Sequence, residues 1–338
     1  MEYDRSWEAL VRPGEGRSFF QCPPHAGTRI APFESHTTAY RPANAWWLSE
    51  MCRLIYRRGP EEAGAAAPEC SRSDILTAVG MRELHFFYKP SVQCGIFATL
   101  PGAETEFAVL VFRGTNGLET WLSNLTTLQV QWPGGGLVHS GFKKEFYRVW
   151  PEVAEALEGL SLPVFYTGHS LGGALSIMAA SLRPPRAVYT FGAPRVGDAG
   201  FAQRLSGVPI FRIASARDIV TGVPPSQIPF DFCHVGDPIL LPPGDGKPDI
   251  PTARPLHGAA RDATAFESGD FAARRQFLGP PEFLSEHAPV NYTFHLFQEL
   301  CATESPAPAR AAATPPAPPR SMPSVPPPPR APIGSPGR

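Results

Sequence analysis

Charge is scarce in this 338-residue chain. Asp, Glu, Lys and Arg make up 18% of it, and 30 basic against 31 acidic residues leave a formal net charge of −1. Phosphate-backbone binding needs a basic face, so this balance argues against nucleic acid as an obligate partner. Cysteine is scarce too: Cys22, Cys52, Cys70, Cys94, Cys233 and Cys301 are scattered, and no two stand in a CxxC spacing. That argues against a structural zinc site and a disulfide-dense scaffold, and makes buried or free thiols the expected state. With no HExxH and no Cys–His cluster, neither a metal nor another cofactor is expected. No run of eighteen apolar residues occurs, so no membrane span is expected. The start, MEYDRSWEALVRPGEGRSFF, lacks a basic stretch followed by an apolar run. No ordinary signal peptide is therefore expected; the cytoplasm is the default compartment, with export by an unmarked route left open. No repeat of 20–50 residues is evident.

Proline is what the chain has in excess, at 41 residues against an average near 5%. A helical bundle or coiled coil throughout is excluded. Thirteen of these prolines fall in residues 302–338, with many alanines, four arginines and one glutamate. Such a segment buries too little apolar surface to offset chain entropy, and a disordered tail is expected there. Its PPPPR run, Pro326 to Arg330, is a weak docking signal for an SH3-type partner, and low-complexity composition is the favoured reading of it. Residues 1–38 read as an irregular N-terminal segment, which leaves 39–301 as one large domain. Hydrophobic residues at 43% and aromatics at 11% are ample for its core.

Within 39–301, apolar runs alternate with helical patterns. Residues 43–57 put Trp46, Trp47, Met51, Leu54 and Ile55 on one helical face. The runs at 94–100 and 107–112 read as a hairpin, and a helix fits 142–159. Further strands are expected at 162–168, 187–192 and 209–215. Apolar strands without alternation, interleaved with helices, indicate an α/β fold: a predominantly parallel central sheet with helices on both faces and an antiparallel start.

The segment LPVFYTGHSLGGALSIMAASL, residues 162–182, carries the chemistry. A β-rich run ends in GxSxG and a small-residue apolar helix follows at once, the context of a nucleophile elbow. Bulky residues at Gly168 or Gly172 would clash with neighbouring backbone. Ser170 would then stand strained and exposed at the strand end, with the helix dipole favouring a developing oxyanion. A serine hydroxyl needs a histidine base oriented by an acid, in the chain order Ser, acid, His. Asp218 is the best-placed acid because it follows the strand PIFRIAS directly; Asp198, Asp231 and Asp237 are the alternatives. Among histidines, His287 ends a loop braced by a terminal helix containing Tyr292, and His295 is a distant alternative. His257 lies among chain breakers, and His234 is expected to cap or pack a strand. The amides of Leu171 and Thr115 are the candidate oxyanion donors.

Taken together, VLVFRGT (109–115), VHSGF (138–142), FYTGHSLGGALS (165–176), TFGAPRVGD (190–198), FRIASARDIVTGVPP (211–225), CHVGD (233–237) and HAPVNY (287–292) resemble the class 3, or fungal-type, lipases of the α/β-hydrolase superfamily. The resemblance runs over roughly 43–300. It implies the same five residues, Ser170, Asp218, His287, Thr115 and Leu171, in the same roles. It also implies a lid over 116–130, where Leu118, Trp121, Leu122 and Leu125 are at helical spacing and would meet a lipid interface. A core-packing helix explains that spacing as well. Asn124 departs from the family's acidic residue three places after the tryptophan.

The expected function is a serine carboxylic ester hydrolase, a triacylglycerol lipase acting on acylglycerols through an acyl-enzyme. Phospholipase A1-like and short-chain esterase activity are the close alternatives. A catalytically silent hydrolase-fold binding module is the alternative from another class.

Overall fold

The computed structural model describes residues 3–15, 19–20, 32–57, 70–115, 128–226, 231–242, 280 and 282–304. Nine strands are described: β1 Met81–Lys89, β2 Val92–Thr99, β3 Ala108–Phe112, β4 Gln129–Gln131, β5 Leu137–His139, β6 Val164–His169, β7 Ala187–Phe191, β8 Ile210–Ser215 and β9 Asp237–Leu241. Seven form one sheet in the order β1-β2-β3-β6-β7-β8-β9, and β4 and β5 pair separately. The first three run antiparallel, and from β3 to β9 every pairing is parallel.

The sequence of β3 explains its central position. All five residues of AVLVF are buried, with Val109 and Val111 packed on one face and Leu110 and Phe112 on the other. A strand apolar on both sides can be satisfied only between two helical layers. One layer holds α2, Pro42–Leu54, whose Trp46, Leu48 and Met51 pack on that face. The other holds α4 Ser140–Phe146, α5 Trp150–Glu158 and α6 Leu171–Leu182. The helix expected over 142–159 is thus two helices. Pro151 stands in the first turn of α5, where a missing N–H costs nothing, but it cannot continue a helix from Phe146.

The edge differs from the sequence reading as well. Strand β1 was not anticipated: MRELHFFYK buries only Met81 fully and is shifted in register between Glu83 and His85, so its polar, irregular pattern hides it. The preceding α3, Arg72–Ala78, is a seven-residue helix started by a capping box between Ser71 and Asp74. Inside the segment read as irregular lies α1, Trp7–Val11. After α7, Ala199–Gln203, and α8, Glu282–Ser285, the last described helix, α9, runs Pro289–Glu304. Residues 302–304 therefore extend a helix rather than begin the tail, and 305–338 lie outside the described residues. Among the described residues no helix is long and apolar enough to cross a membrane. A mostly parallel sheet with an antiparallel start and helices on both faces is the α/β-hydrolase arrangement.

Candidate active site

Ser170 sits between the end of β6 and the start of α6 with φ 58° and ψ −128°, a conformation costing about 1–3 kcal/mol for a residue with a side chain. Surrounding contacts hold it there. Its N–H donates to Phe191 O at 2.9 Å, and its carbonyl accepts from Gly173 N at 3.0 Å. A Cβ on Gly168 would lie 2.2 Å from the Gly172 backbone, so the strand and helix can approach this closely only without it. Farther along α6, Ser176 Oγ donates to Thr167 O at 2.7 Å, fastening the helix back onto the strand.

Asp218 follows β8 and starts a 3₁₀ turn, Ile219–Gly222, where its Oδ1 accepts the Val220 N–H at 2.9 Å. Its Oδ2 accepts from His287 Nδ1 at 2.8 Å and from the Tyr292 hydroxyl at 2.6 Å. Because the carboxylate is acceptor-only, the proton of neutral His287 lies on Nδ1 and Nε2 carries the lone pair. His287 stands between α8 and α9, its N–H bonded to Leu284 O at 3.0 Å. Its Nε2 and the Ser170 Oγ are both buried without a hydrogen-bond partner among the described residues. Two buried, unsatisfied polar atoms of complementary type mark a site held ready for a reacting group.

A second set of bonds braces His287 from behind. His169, next to the serine in sequence, approaches the His287 ring to 4.4 Å between centroids. Its Nε2 lies 2.7 Å from the His287 carbonyl, which can only accept, so Nε2 donates. Nδ1 then accepts from the Tyr56 hydroxyl at 3.3 Å. Burial, and secondarily the neighbouring His287 imidazole, hold His169 well below the ordinary histidine pKa. Gly192, with φ +58°, closes the space on the other side: a Cβ there would lie 2.7 Å from Asp218 Oδ2 and 3.0 Å from His287 Nδ1.

Of the residues expected from sequence, Asp218 and His287 are hydrogen-bonded to each other, Ser170 and Leu171 adjoin at the elbow, and each of the four is 4% exposed or less. Thr115 is half-buried at the end of β3. Its neighbour Gly114 abuts the elbow, since a Cβ there would lie 3.2 Å from Ser170 Cβ. A cavity of about 180 Å³ opens beside it, lined by Ser91, Gln93, Arg113 and Thr115 among others. Leu118, Trp121, Leu122, Leu125 and Asn124 lie outside the described residues. The alternatives resolve elsewhere. Asp198 caps α7 through the Phe201 N–H at 2.8 Å. His234 bonds Thr221 O at 2.9 Å, and His295 packs against the Tyr3 and Phe294 rings. Sequence reasoning missed the hydroxyl of Tyr292, the Tyr56–His169 brace and the need for Gly192. Only Tyr292 carried a signal, one turn into the helix that follows the base.

Residues 109–228, the span from β3 through the acid, match the family model described as lipase (class 3). This segment is similar to the class 3 lipases. The lipase of Rhizomucor miehei is 37% identical over 146 residues, 38% of this chain and 40% of that one. The chloroplastic phospholipase A(1) DAD1 of Arabidopsis thaliana is 32% identical over 148 residues, 34% of this chain and 33% of that one. The chain thus spans well under half the length of these curated relatives. The solved structure of lipase II from Rhizopus niveus superposes with a TM-score of 0.43 at 30% identity, covering 48% of this chain and 67% of that one.

Proposed function

We propose that this chain is a serine carboxylic ester hydrolase, a lipase acting on acylglycerols through an acyl-enzyme. The observation that carries the reading is the buried Asp218–His287 pair with an unpartnered Nε2, together with an equally buried and unpartnered Ser170 Oγ on a strained elbow. In the first half-reaction His287 Nε2 takes the Ser170 Oγ proton as Oγ bonds to the ester carbonyl carbon. The resulting oxyanion is held by the amides of Leu171 and Thr115, with the positive end of α6 adding to the field. The carbonyl re-forms, the alkoxide leaves, and His287 gives it the proton. In the second half-reaction water loses a proton to His287 and attacks the acyl carbon. As the intermediate collapses the bond to Ser170 Oγ breaks, the acid is released, and His287 returns the proton to Ser170 Oγ. Asp218 stays ionised throughout and stabilises the imidazolium.

The test is hydrolysis of p-nitrophenyl esters from short to long acyl chains by wild type and Ser170→Ala. The variant is expected to lose on the order of 10⁶ in kcat, the loss seen when a triad nucleophile is removed. Retained activity in the variant overturns the assignment. Wild-type preference for short soluble esters, with no gain at a lipid interface, makes the enzyme an esterase instead. Similarity to a phospholipase A(1) supports a second reading, phospholipid acyl hydrolysis. Matched phosphatidylcholine and triacylglycerol emulsions separate the two.

A further inference from the structure

The acid and the base lie 69 residues apart in sequence, on two short segments with little regular structure of their own. Asp218 opens a single 3₁₀ turn, and His287 stands between the four-residue α8 and the start of α9. The beginning of the chain fastens both. Asp4 Oδ1 accepts the Ser6 N–H at 2.8 Å and Ser6 Oγ accepts the Ala9 N–H at 3.2 Å, which starts α1. A five-residue helix is not stable alone in water, so its position is set by what it touches.

Two kinds of contact set it. The first is polar and centres on Asn291, only 1% exposed. Its side-chain amide pairs with the Asp4 backbone in both directions: Asp4 N–H donates to Oδ1 at 2.8 Å and Nδ2 donates to Asp4 O at 2.7 Å. The other Nδ2 proton goes to Ser285 O at 2.8 Å, so one buried amide ties the N-terminal segment, α9 and the base loop together. The second contact is apolar. Trp7 and Leu10 pack with Ile219 against buried Val220 and Leu284. These two are the residues that hold the pair: Val220 gives its N–H to Asp218 Oδ1, and Leu284 takes the N–H of His287. Tyr3 adds an edge contact to the Phe294 ring at 6.0 Å between centroids.

We propose that residues 3–11 are a positioning clamp for the acid–base pair, holding the Val220 turn and the Leu284 turn in fixed relation through Trp7, Leu10 and the Asp4–Asn291 pairing. The clamp's effect on turnover rests on the reading of Ser170, Asp218 and His287 as a triad; its effect on the Asp218–His287 bond does not. Without it, each segment keeps its own local hydrogen bonds but loses the shared surface that sets the distance between them. Misplacement of about 1 Å between reacting groups costs on the order of 100-fold in rate, so a partial loosening is expected to be visible in kcat and not in KM.

The experiment compares Trp7→Ala, Trp7→Phe and Asn291→Ala in the full chain. It reads kcat and KM on a p-nitrophenyl ester, the melting temperature, and the hydrogen-bonded Nδ1 proton of His287 by downfield ¹H NMR. The clamp predicts a fall in kcat of roughly 10-fold or more in both alanine variants, KM within about two-fold, and a broadened or lost Nδ1 resonance below the melting temperature. Trp7→Phe restores most of both signals. Unchanged kcat and an unchanged resonance in Trp7→Ala overturn the proposal, even if the melting temperature falls. If Asn291→Ala does not fold, Trp7→Ala, altered at a partly exposed position, decides the matter alone. If Ser170→Ala is fully active, the triad reading fails, and the Nδ1 resonance still decides for or against the clamp.

Discussion

At the scale of single residues, the site is a set of hydrogen bonds that leave one choice of proton position. Asp218 Oδ2 receives two donors, His287 Nδ1 and the Tyr292 hydroxyl, and the tyrosine oxygen in turn accepts the Ser215 N–H at 3.1 Å. Removing that hydroxyl leaves a carboxylate short of one charge-assisted bond, worth about 1.5–3 kcal/mol. Tyr292→Phe is therefore expected to lower kcat about 10- to 100-fold with little change in KM, read from steady-state kinetics across pH. Gly192→Ala is expected to be more damaging, because the added methyl meets both Asp218 Oδ2 and His287 Nδ1. These two sites show the limit of reading from sequence. The elbow at Ser170 and the pairing of Asp218 with His287 were legible because a serine hydrolase site calls for those residue types in that order after recognisable strands. Gly192 and the Tyr56–His169 brace were not, because their roles exist only through contacts between distant parts of the chain.

Among elements, the strands with continuous apolar sequence were legible and the polar edge strand β1 was not. A strand buried on both faces writes its environment into every residue, as β3 does. An edge strand with one fully buried residue writes almost nothing. The helix around Trp46 was read correctly from its face, and its energetic weight can be tested. Trp46 is fully buried and makes ring contacts with Phe20, Trp47 and Phe297. Trp46→Ala is expected to cost about 3–5 kcal/mol of stability. Denaturant unfolding measures this, and kcat per folded molecule should stay near wild type because the hydrogen bonds described above for Ser170, Asp218 and His287 run to residues outside α2. The split between α4 and α5 shows how one proline overrides an otherwise helical run: periodicity fitted a single helix, and the missing N–H at Pro151 decided otherwise.

For the molecule as a whole, three histidines whose pKa burial lowers make stability fall as pH drops. Burial holds His169 well below its ordinary pKa of 6.5, pushes His234 down to about 3, with Arg212 and Arg195 adding to the effect, and lowers His295. Below pH 6.5 the unfolded chain binds protons that the folded chain refuses, so stability falls as pH drops. The fully buried His169 alone contributes a slope of up to about 1.4 kcal/mol per pH unit. His234 and His295 act in the same direction. Urea midpoints measured from pH 8 to pH 5 should be level above about pH 7.5 and decline below pH 6.5, with a shallower decline in His169→Gln. A pH-independent midpoint would contradict this. At the other end of the chain, α9 keeps Leu300 in the core, so the informative truncation falls after Glu304. Removal of 305–338 takes away none of the described contacts and is expected to leave activity on soluble esters unchanged.

The proposal that Ser170 is a nucleophile driven by His287 and Asp218 has one direct measurement. The protein is treated with diethyl p-nitrophenyl phosphate, and the modified peptide is identified by mass spectrometry in wild type, Ser170→Ala and His287→Ala. The expected result is one diethylphosphoryl group on Ser170 in wild type, none at that peptide in Ser170→Ala, and labelling slowed by on the order of 10³-fold or more in His287→Ala. Labelling at another residue, or labelling of Ser170 at an undiminished rate without His287, would contradict the account.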